Sequence, residues 1–471
     1  MAYYTLNSYR LRFEPFEIFE ALKNEGDAFF LDSSLNSDSS GRYSFLGIDP
    51  FFVLETKERN PFKDLRKVLD RYRISLPKNY PPFCAGGVGY LSYDLGFLLE
   101  NRLKRNKPDD LKIPECYFGF YNTAIIIDNT KRILHIFTSG LPETKYYLAK
   151  SLCEKNLKGI QKLLYGINSR KSKQPAEANN RLELKSNFTK DSYILAVKKG
   201  KEYIKNGDIY QLNLSQRFQA INNLAGFEIY KRLRKLSPSF FSAYLDTGSF
   251  QILSSSPERF LRLDGDNVIT CPMKGTRKRS KNKSEDERLK NELLNSAKDK
   301  AELMMIVDLE RNDLGRVCEY DSIKVNALRE LEEYSTVFQT TATISGKLHK
   351  GKDRIDLLRA CFPGGSITGC PKIRAMEIIE ELEPNRRSIY TGCLGYLSFS
   401  GSMDLNILIR TIFKKNDKIY FGVGGGIVAD SKPLDEYEET LVKAKAIFKT
   451  LGAPLALLRK GVSVLAKRPA L

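Results

Sequence analysis

Short apolar runs separated by turn residues dominate the first 140 residues of the chain. Each run is bounded by Gly, Pro, Asn or Asp, which is typical of β-strands joined by turns. The pattern predicts an antiparallel sheet formed by five runs, at 41–49, 51–55, 86–96, 117–128 and 132–140.

After residue 187 the pattern changes to helices that alternate with strand-like runs. One helix is predicted from a cap near Thr189 to a stop at Gly207, because apolar residues recur every three to four positions between them. Further helices are predicted around 301–309, from 371 to 383 and from 433 to 451. Alternating runs between the last two helices indicate paired strands at 390–401, 406–414 and 418–428.

A polar, aperiodic stretch at 166–180 is the predicted connection between two parts of the chain. The sequence is therefore divided into an N-terminal region (1–165), a connection (166–186), a catalytic region (187–452) and a basic C-terminal tail (453–471). The length of 471 residues suits two or three units, or one large intertwined α/β body.

Composition indicates a folded soluble protein, with 42% hydrophobic residues and no apolar run of membrane-spanning length. The start lacks a secretory signal, so a cytoplasmic location is expected, with no membrane partner. The net charge of +19 is spread along the whole chain, which disfavours nucleic-acid binding but suits an anionic small substrate. Eight scattered Cys and two His support neither a zinc site nor a Cys–His glutaminase within this chain.

Three carboxylates are candidate ligands of a divalent cation. Glu436 and Glu439 project from one side of the last predicted helix together with Lys443, and Glu302 stands in the apolar run of an earlier helix. Magnesium, as Mg²⁺, typically takes one or two protein carboxylates and keeps water or substrate oxygens. The plainer interpretation is that these are surface acids that suit the helix dipole.

Other candidates lie in loops and strand ends. Lys274 follows a strand-like run, and a desolvated lysine can act as a nucleophile, although a lone lysine is ordinarily a surface residue. Glu258 follows a strand in SSSPERF and is either a general acid or a turn carboxylate. Three glycines, Gly424, Gly425 and Gly426, would let backbone N–H groups approach an anion.

The motifs together resemble the chorismate-utilising enzymes, the family of anthranilate, aminodeoxychorismate, isochorismate and salicylate synthases. SSSPERF, DLERNDLGRV, FPGGSITGCPK, GYLSFSGSMDLNILIRT and GGGIVADSKPLDEYEET occur in family order within 187–452. The N-terminal region resembles the anthranilate synthase component I type more loosely, through LDSS, GRYSFLG and GGVGYLSYD. The resemblance implies an α/β (α+β) fold, in which two antiparallel sheets pack as a sandwich flanked by helices, with the active site between the sheets.

A few positions bear on the reaction that the resemblance implies. Isochorismate and salicylate synthases have a water-activating lysine where this chain has Gln211, so water is disfavoured as the nucleophile. Lys274 in a PxKGT motif, together with QLNLS, is similar to aminodeoxychorismate synthase component I, whereas anthranilate synthases usually have Ala there. Gln339 replaces a family His that is thought to help expel pyruvate. Anthranilate synthase component I is the alternative, and a binding-only paralogue or a basic nucleic-acid-binding protein is the non-enzyme alternative.

The resemblance also implies roles for the candidates. Glu258 would protonate the departing ring hydroxyl, Lys274 would attack the ring, and ammonia from a separate glutaminase subunit would displace it to give 4-amino-4-deoxychorismate, a precursor of 4-aminobenzoate and folate. Glu302 and Glu439, with Glu436 nearby, would hold Mg²⁺. The implied chorismate-binding residues are Gln211, Thr276, Thr368, Tyr390, Arg410, Gly424, Gly425, Gly426 and Lys443. A tryptophan pocket is implied at Ser33, Tyr43, Ser44, Phe241 and Ser242.

Overall fold

The computed structural model describes residues 3–23, 27–35, 41–169, 183–334, 337–453 and 463–464. Most of the predicted connection and nearly all of the predicted C-terminal tail therefore lie outside the described residues. The α-helices of the described part are α1 (Pro15–Leu22), α2 (Phe62–Arg71), α3 (Gly96–Leu99), α4 (Tyr146–Tyr165), α5 (Lys190–Lys205), α6 (Gly226–Leu236), α7 (Lys283–Asn295), α8 (Ala297–Gly315), α9 (Arg354–Cys361), α10 (Lys372–Leu382) and α11 (Pro433–Thr450).

The β-strands fall into two large sheets. In chain order they are β1 (Tyr4–Arg10), β2 (Ala28–Asp32), β3 (Tyr43–Ile48), β4 (Phe52–Thr56), β5 (Gly86–Leu91), β6 (Cys116–Tyr121), β7 (Thr123–Asp128), β8 (Ile133–Ser139), β9 (Leu184–Ser186), β10 (Gln211–Ile221), β11 (Phe241–Asp246), β12 (Gln251–Ser256), β13 (Arg259–Asp264), β14 (Asn267–Cys271), β15 (Met273–Lys278), β16 (Lys324–Glu333), β17 (Val337–Lys347), β18 (Gly369–Cys370), β19 (Cys393–Ser398), β20 (Met403–Ile407), β21 (Thr411–Lys415), β22 (Lys418–Ile427) and β23 (Ser463–Val464).

The first sheet has the order β1-β8-β7-β3-β2-β11-β12-β21-β22-β10-β9-β23, with β18 also pairing with β10. The second has the order β15-β17-β14-β13-β20-β19-β5-β6-β4, with β16 also pairing with β17. Apart from the parallel contact of β23 with β9, the described pairings are antiparallel. Two antiparallel sheets with flanking helices are the predicted fold class, which is confirmed.

The N-terminal strands were predicted to form one sheet, and this detail is wrong. β3, β7 and β8 belong to the first sheet, whereas β4, β5 and β6 belong to the second. Each sheet is completed by strands from beyond the predicted connection, through the pairs β2–β11 and β5–β19. The division of the chain at 166–186 stays a prediction. In both sheets, strands from before and after this connection are neighbours.

Helix positions follow the capping signals. Thr189 caps α5 by accepting a hydrogen bond from the Ser192 N–H, as predicted. α10 begins directly after Pro371, and α11 has Pro433 in its first turn. The predicted helix around 301–309 is part of the longer α8, which Ser296 caps. The N-terminal helices α1, α2 and α4 were not predicted.

A layer of aromatic rings joins the two sheets. Phe29 of the first sheet meets Tyr121 of the second, with 4.6 Å between ring centroids. Phe45 and Tyr396 make a second such contact at 5.6 Å. Phe83 touches both Phe29 and Tyr396. Edge-to-face packing of this kind is favourable beyond the apolar area that it buries, so it fixes how the sheets face each other.

Two of the places where the chain crosses from one sheet to the other lie side by side. One crossing joins β12 to β13 through Glu258, and the other joins β20 to β21 through Arg410. The Ile407 N–H donates to the Glu258 carbonyl at 3.0 Å, and the Ser255 N–H donates to the Arg410 carbonyl at 3.2 Å. Arg410 has a φ of 49°, which L-residues adopt only at an energetic cost. The two crossings therefore hold Glu258 and Arg410 close together.

No helix in the described ranges is long and apolar enough to cross a membrane. The eight cysteines are free thiols. The cytoplasmic location stays a prediction.

A buried ion pair fastens the end of α10 to β10. Arg387 donates to both carboxylate oxygens of Glu383, at 2.7 and 3.0 Å, and to the Ile367 carbonyl at 2.8 Å. Glu383 also accepts from the backbone N–H and the hydroxyl of Ser215 on β10. Both partners are almost fully buried, so neither charge can be left alone without a large desolvation cost.

Glu383→Gln is expected to lower the free energy of unfolding by about 3 kcal/mol, because it leaves the Arg387 charge buried without its partner. The matched control is Asp64→Asn in the exposed pair with Arg59, where the loss is expected to stay below about 1 kcal/mol. Urea denaturation of both variants measures the difference. Equal losses in the free energy of unfolding would show that the buried ion pair contributes no more to stability than the exposed one.

Candidate active site

A lysine from one sheet meets a glycine run from the other. Gly424, Gly425 and Gly426 lie inside β22, rather than in a turn before the helix. A Cβ atom added to Gly426 would lie 2.8 Å from Gln211 Nε2 and 3.4 Å from Lys274 Nζ. The absence of a side chain at Gly426 thus leaves room beside both groups, and the cluster lies between the sheets.

A β-bulge helps to aim Lys274. The register between β15 and β17 shifts between Lys274 and Thr276, and Gly275 between them has a φ of 77°. A side chain at Gly275 would meet Leu293 at 2.7 Å. Bulges redirect neighbouring side chains, and glycine is the residue that suits this backbone conformation.

Helix α11 covers the glycine run with charged side chains. A Cβ atom on Gly425 would be 3.3 Å from Glu436, 3.6 Å from Glu439 and 3.7 Å from Lys443. Lys443 Nζ donates to the Gly424 carbonyl at 2.9 Å and pairs with Glu439 at 2.7 Å. Glu436 is buried and accepts from the Ser431 hydroxyl at 2.6 Å, whereas Glu439 and Lys443 are exposed. This side of the cluster is therefore the one in contact with solvent.

Desolvation lowers the pKa of Lys274. The positive charge of Lys443 lowers it further, while Glu302, Glu258 and Glu439 oppose the shift. The amine is thus easier to deprotonate than an ordinary lysine. A neutral amine is the nucleophilic form, so the site favours the chemistry predicted for Lys274.

Glu258 has the properties of a general acid. It is 5% exposed, and burial raises its pKa to about 7. The Ser366 hydroxyl and the Met273 N–H donate to its carboxyl group, and Lys274 and Arg410 are close enough to favour its charged form. These contacts oppose the shift but do not cancel it. A carboxyl that holds its proton up to neutral pH can deliver it to a leaving group.

Glu310, which stands in the DLERNDLGRV motif but was given no role from the sequence, is a second buried carboxyl near Glu258. Thr270 Oγ1 lies 2.7 Å from the Phe260 carbonyl and 2.8 Å from Glu310 Oε2. A hydroxyl has one hydrogen, so when Thr270 donates to the carbonyl, Glu310 has to be the donor in the other bond. Burial and the nearby Glu258 and Asp313 raise the pKa of Glu310 to about 8, which agrees with a protonated carboxyl.

Arg410 is an unpaired cation beside Glu258. Among the described residues its guanidinium has neither a hydrogen-bond acceptor nor an ion pair, and burial lowers its pKa. Tyr334 and Glu258 interact with it electrostatically. The Tyr390 ring covers Gly422, two residues before the glycine run, so closely that a Cβ atom there would be 2.5 Å from Cδ1. A bare guanidinium in this setting suits a carboxylate ligand.

The remaining predicted binding residues differ in their surroundings. Gln211 is fully buried, and neither of its side-chain polar atoms has a partner among the described residues. Thr276 accepts a hydrogen bond from the Gln339 amide at 3.2 Å. Thr368 is fully buried, and its hydroxyl bonds to carbonyls of its own loop, at Gly364 and Gly365. A direct contact of the Thr368 hydroxyl with a ligand stays a prediction.

The predicted cation ligands come from two helices. Glu302 of α8 is mostly buried, and Glu439 of α11 interacts with it electrostatically, which helps to raise its pKa after desolvation. Glu439 likewise helps to raise the pKa of Glu436. No group of three or more His, Cys, Asp or Glu arranged to hold a metal occurs in the described part of the chain. Glu302 pairs with Lys298 at 3.8 Å, and Glu439 pairs with Lys443. Two carboxylates from different helices still fit Mg²⁺, which keeps most of its ligands as water or substrate oxygens.

The five residues of the predicted tryptophan pocket lie along three adjacent strands, β3, β2 and β11. The Ser33 hydroxyl donates to the Tyr43 carbonyl at 2.8 Å, and the Ser33 N–H donates to the Ser44 hydroxyl. Ser242 bonds to the neighbouring Ser34 at 2.8 Å. The Phe241 ring lies under the Arg259 guanidinium at 4.8 Å. The residues are brought together, but tryptophan binding stays a prediction.

Comparison with known proteins places this cluster in a family. The family model for chorismate binding enzymes matches residues 28–449. The chain belongs to the chorismate-binding enzyme family.

Members of the chorismate-binding family with different products are equally similar to this chain. Anthranilate synthase component 1 of Acetivibrio thermocellus is 37% identical over 93% of this chain and 92% of that protein. Aminodeoxychorismate synthase component 1 of Bacillus subtilis is also 37% identical, over 88% and 91%. The crystal structure of anthranilate synthase component I from Streptococcus pneumoniae TIGR4 superposes with a TM-score of 0.76 at 31% identity, covering 87% of this chain and 93% of that chain.

The raised pKa of the buried acid in this chorismate-binding enzyme has a consequence for stability. The pKa of Glu258 rises from the ordinary glutamate value of 4.5 to about 7 on folding, so folding is penalised once pH exceeds 4.5, fully so above about 7. Glu258→Gln removes this penalty. We expect the free energy of unfolding of the variant, relative to that of wild type, to be about 3 kcal/mol higher at pH 8 than at pH 5. Urea denaturation at both pH values measures this difference.

The matched control for this measurement is Glu287→Gln at an exposed position, which should change the free energy of unfolding by the same small amount at both pH values. A constant difference between Glu258→Gln and wild type across the range would contradict the raised pKa.

Proposed function

We propose that the chain is component I of an aminodeoxychorismate synthase. It converts chorismate and ammonia into 4-amino-4-deoxychorismate, in the manner of an amidotransferase subunit. The observation that carries the proposal is Lys274, an amine of lowered pKa held beside the glycine run and near the protonated Glu258. A nucleophile and an acid face the same space, which is what a substitution at a ring carbon requires.

The first step forms a covalent bond to the enzyme. The neutral amine of Lys274 attacks the unsubstituted ring carbon next to the carboxylate-bearing carbon, and the ring double bonds shift. The C–O bond of the ring hydroxyl breaks, and its oxygen leaves as water with the proton of Glu258. In the second step ammonia bonds to the carbon that lost the hydroxyl, the ring double bonds shift back, and Lys274 departs as the neutral amine. The proton that the new ammonium group loses restores the protonated Glu258. The sum is chorismate plus ammonia giving aminodeoxychorismate plus water.

Two glutamines support ammonia as the nucleophile and retention of the enolpyruvyl group. Gln211 is neutral at any physiological pH, so it cannot deprotonate a water molecule as a lysine can, while its unpartnered amide can hydrogen-bond an incoming ligand. The buried Oε1 of Gln339 also lacks a partner among the described residues. An amide there does not supply the titrating imidazole associated with pyruvate elimination.

The substrate is anionic, and the unpaired cation anchors it. Arg410 binds one carboxylate of chorismate, since a guanidinium can form two parallel hydrogen bonds with it. Tyr390, Lys443 and the amides of Gly424–Gly426 surround the other oxygens. Anthranilate synthase component I is the second candidate, because relatives with that name are as similar as the aminodeoxychorismate synthase.

Mg²⁺ is proposed as the cofactor, with Glu302 and Glu439 as its ligands and Glu436 beside them. When bound, it supplies a Lewis acid that neutralises a substrate carboxylate. The observation that supports a cation there is that Glu302 is desolvated and also interacts with the charge of Glu439, because a divalent ion stabilises both carboxylates in their charged forms.

Glu302→Gln is expected to weaken Mg²⁺ binding roughly tenfold or more, because a neutral amide is a poorer ligand for this ion. The readouts are the rise in melting temperature with added MgCl₂ and the Mg²⁺ concentration that gives half-maximal chorismate consumption. Asp308→Asn, exposed on the same helix, is the matched control. An unchanged magnesium titration in Glu302→Gln would remove Glu302 from the site.

A glutaminase subunit is the proposed source of ammonia, and both relatives named above are called component 1 of their synthases. We further propose a cytoplasmic setting, a role in supplying 4-aminobenzoate for folate, no nucleic-acid partner and an optional tryptophan ligand at Ser33, Tyr43, Ser44, Phe241 and Ser242.

The test of the function is a product analysis. Purified protein is mixed with chorismate, Mg²⁺ and ammonium, and the products are separated by chromatography and identified by mass spectrometry. Aminodeoxychorismate is expected from wild type, together with a protein adduct of the mass of chorismate less one water. Lys274→Ala should lose the adduct and at least about a hundredfold in rate, since nucleophilic assistance of this size is typical.

Lys278→Ala on the same strand is the control and should behave like wild type, because its side chain is exposed. Anthranilate as the product would favour the second candidate. Full activity of Lys274→Ala would contradict the covalent step, and no turnover with a glutaminase supplied would favour a binding-only protein.

A further inference from the structure

The hairpin of β16 and β17 brings an additional tyrosine to the cluster. Tyr334 follows β16 directly and is 4% exposed. Its N–H donates to the Val337 carbonyl at 2.9 Å, and its ring packs on Phe240 with 5.8 Å between centroids. A large polar side chain is thus held in the interior rather than at the surface of the hairpin.

The backbone of Tyr334 is anchored from a second element. Arg279 donates to its carbonyl at 3.2 Å. Arg279 is itself fixed, because it makes hydrogen bonds of 2.8 and 3.0 Å to Asp286 and its guanidinium stacks over Phe338 at 4.4 Å. The position of the phenol is therefore set before any ligand arrives, which lowers the entropy cost of using it in binding.

The phenol group is close enough to the charged end of the cluster to interact with it electrostatically. Tyr334 interacts electrostatically with Arg410 and with Glu258, and burial is the main cause of its raised pKa, so the hydroxyl keeps its proton. Within the described ranges, the hydroxyl has no hydrogen-bond partner. It is not among the fully buried unpartnered side-chain atoms of the described part, so a ligand can reach it. In the same part of the chain the Arg410 guanidinium likewise has no partner and is not among those fully buried atoms.

We propose that Tyr334 is a further substrate-binding residue, whose hydroxyl donates a hydrogen bond to the carboxylate that Arg410 binds. A hydroxyl donor and a guanidinium that both lack a partner among the described residues, and that interact electrostatically, suit the same kind of ligand, a carboxylate oxygen. The inference rests on the proposed function only for the identity of that ligand as chorismate. It adds specificity, because the fixed hydroxyl and guanidinium together define where the carboxylate lies.

The variant Tyr334→Phe tests the role, because it removes the hydroxyl and keeps the ring on Phe240. In calorimetric titration with chorismate and Mg²⁺ we expect the Kd to rise about tenfold, the effect of losing one hydrogen bond to a charged group. The melting temperature without ligand should stay within error of wild type. Tyr320→Phe, at a position that is 93% exposed, is the matched control and should leave the Kd unchanged.

A double-variant cycle with Arg410→Lys checks that the two residues bind the same group. If they share a carboxylate, the Kd of the double variant rises by less than the product of the two single effects. Independent, multiplying effects would overturn the shared site, and an unchanged Kd in Tyr334→Phe would overturn the role altogether. Wild type that binds chorismate without forming aminodeoxychorismate would contradict the proposed function while leaving the Tyr334 effect measurable. Wild type that does not bind chorismate would overturn both.

Discussion

The site depends on the two adjacent crossings of the chain between the sheets. Because β12 continues into one sheet as β13 while β20 returns as β21, Glu258 and Arg410 are fixed by backbone hydrogen bonds rather than by side-chain packing alone. The strained backbone of Arg410 is tolerated because the strands on either side determine it. An acid and a cation are thereby held at the seam of the sandwich, where neither sheet could place them by itself.

Burial has opposite effects on the two reactive groups. Desolvation raises the pKa of the Glu258 carboxyl and lowers the pKa of the Lys274 amine, so both are shifted towards their neutral forms. Each also stabilises the charged form of the other, which limits both shifts. The low polarity between the sheets thus makes the acid easier to keep protonated and the amine easier to deprotonate, without any specialised residue types.

Local sequence patterns predicted much of this arrangement. They could not predict the features that depend on contacts between residues distant in sequence. Caps and prolines gave α5, α10 and α11 to within a residue or two, and motif resemblance indicated Lys274, Glu258 and the glycine run. Sheet membership was beyond reach, since strands that alternate alike can join either sheet. Glu310 was given no role although its motif was recognised, because only its contact with Thr270 distinguishes it from an ordinary helix residue. Tyr334 was missed because its interaction with Arg410 joins residues that are distant in sequence. The loop-bound hydroxyl of Thr368 was equally invisible in the sequence.

The interleaving of the strands also constrains the order of folding during synthesis. β2 has to wait for β11, and β5 has to wait for β19, before either gains its second neighbour. Pairings this distant in sequence are slow to form, because the loop-closure entropy is lost before any contact compensates for it. The N-terminal strands therefore leave the ribosome with unpaired edges and exposed aromatic rings. A nascent chain of this kind is a natural client for chaperones, and splitting its gene near the connection would yield two insoluble halves rather than two domains.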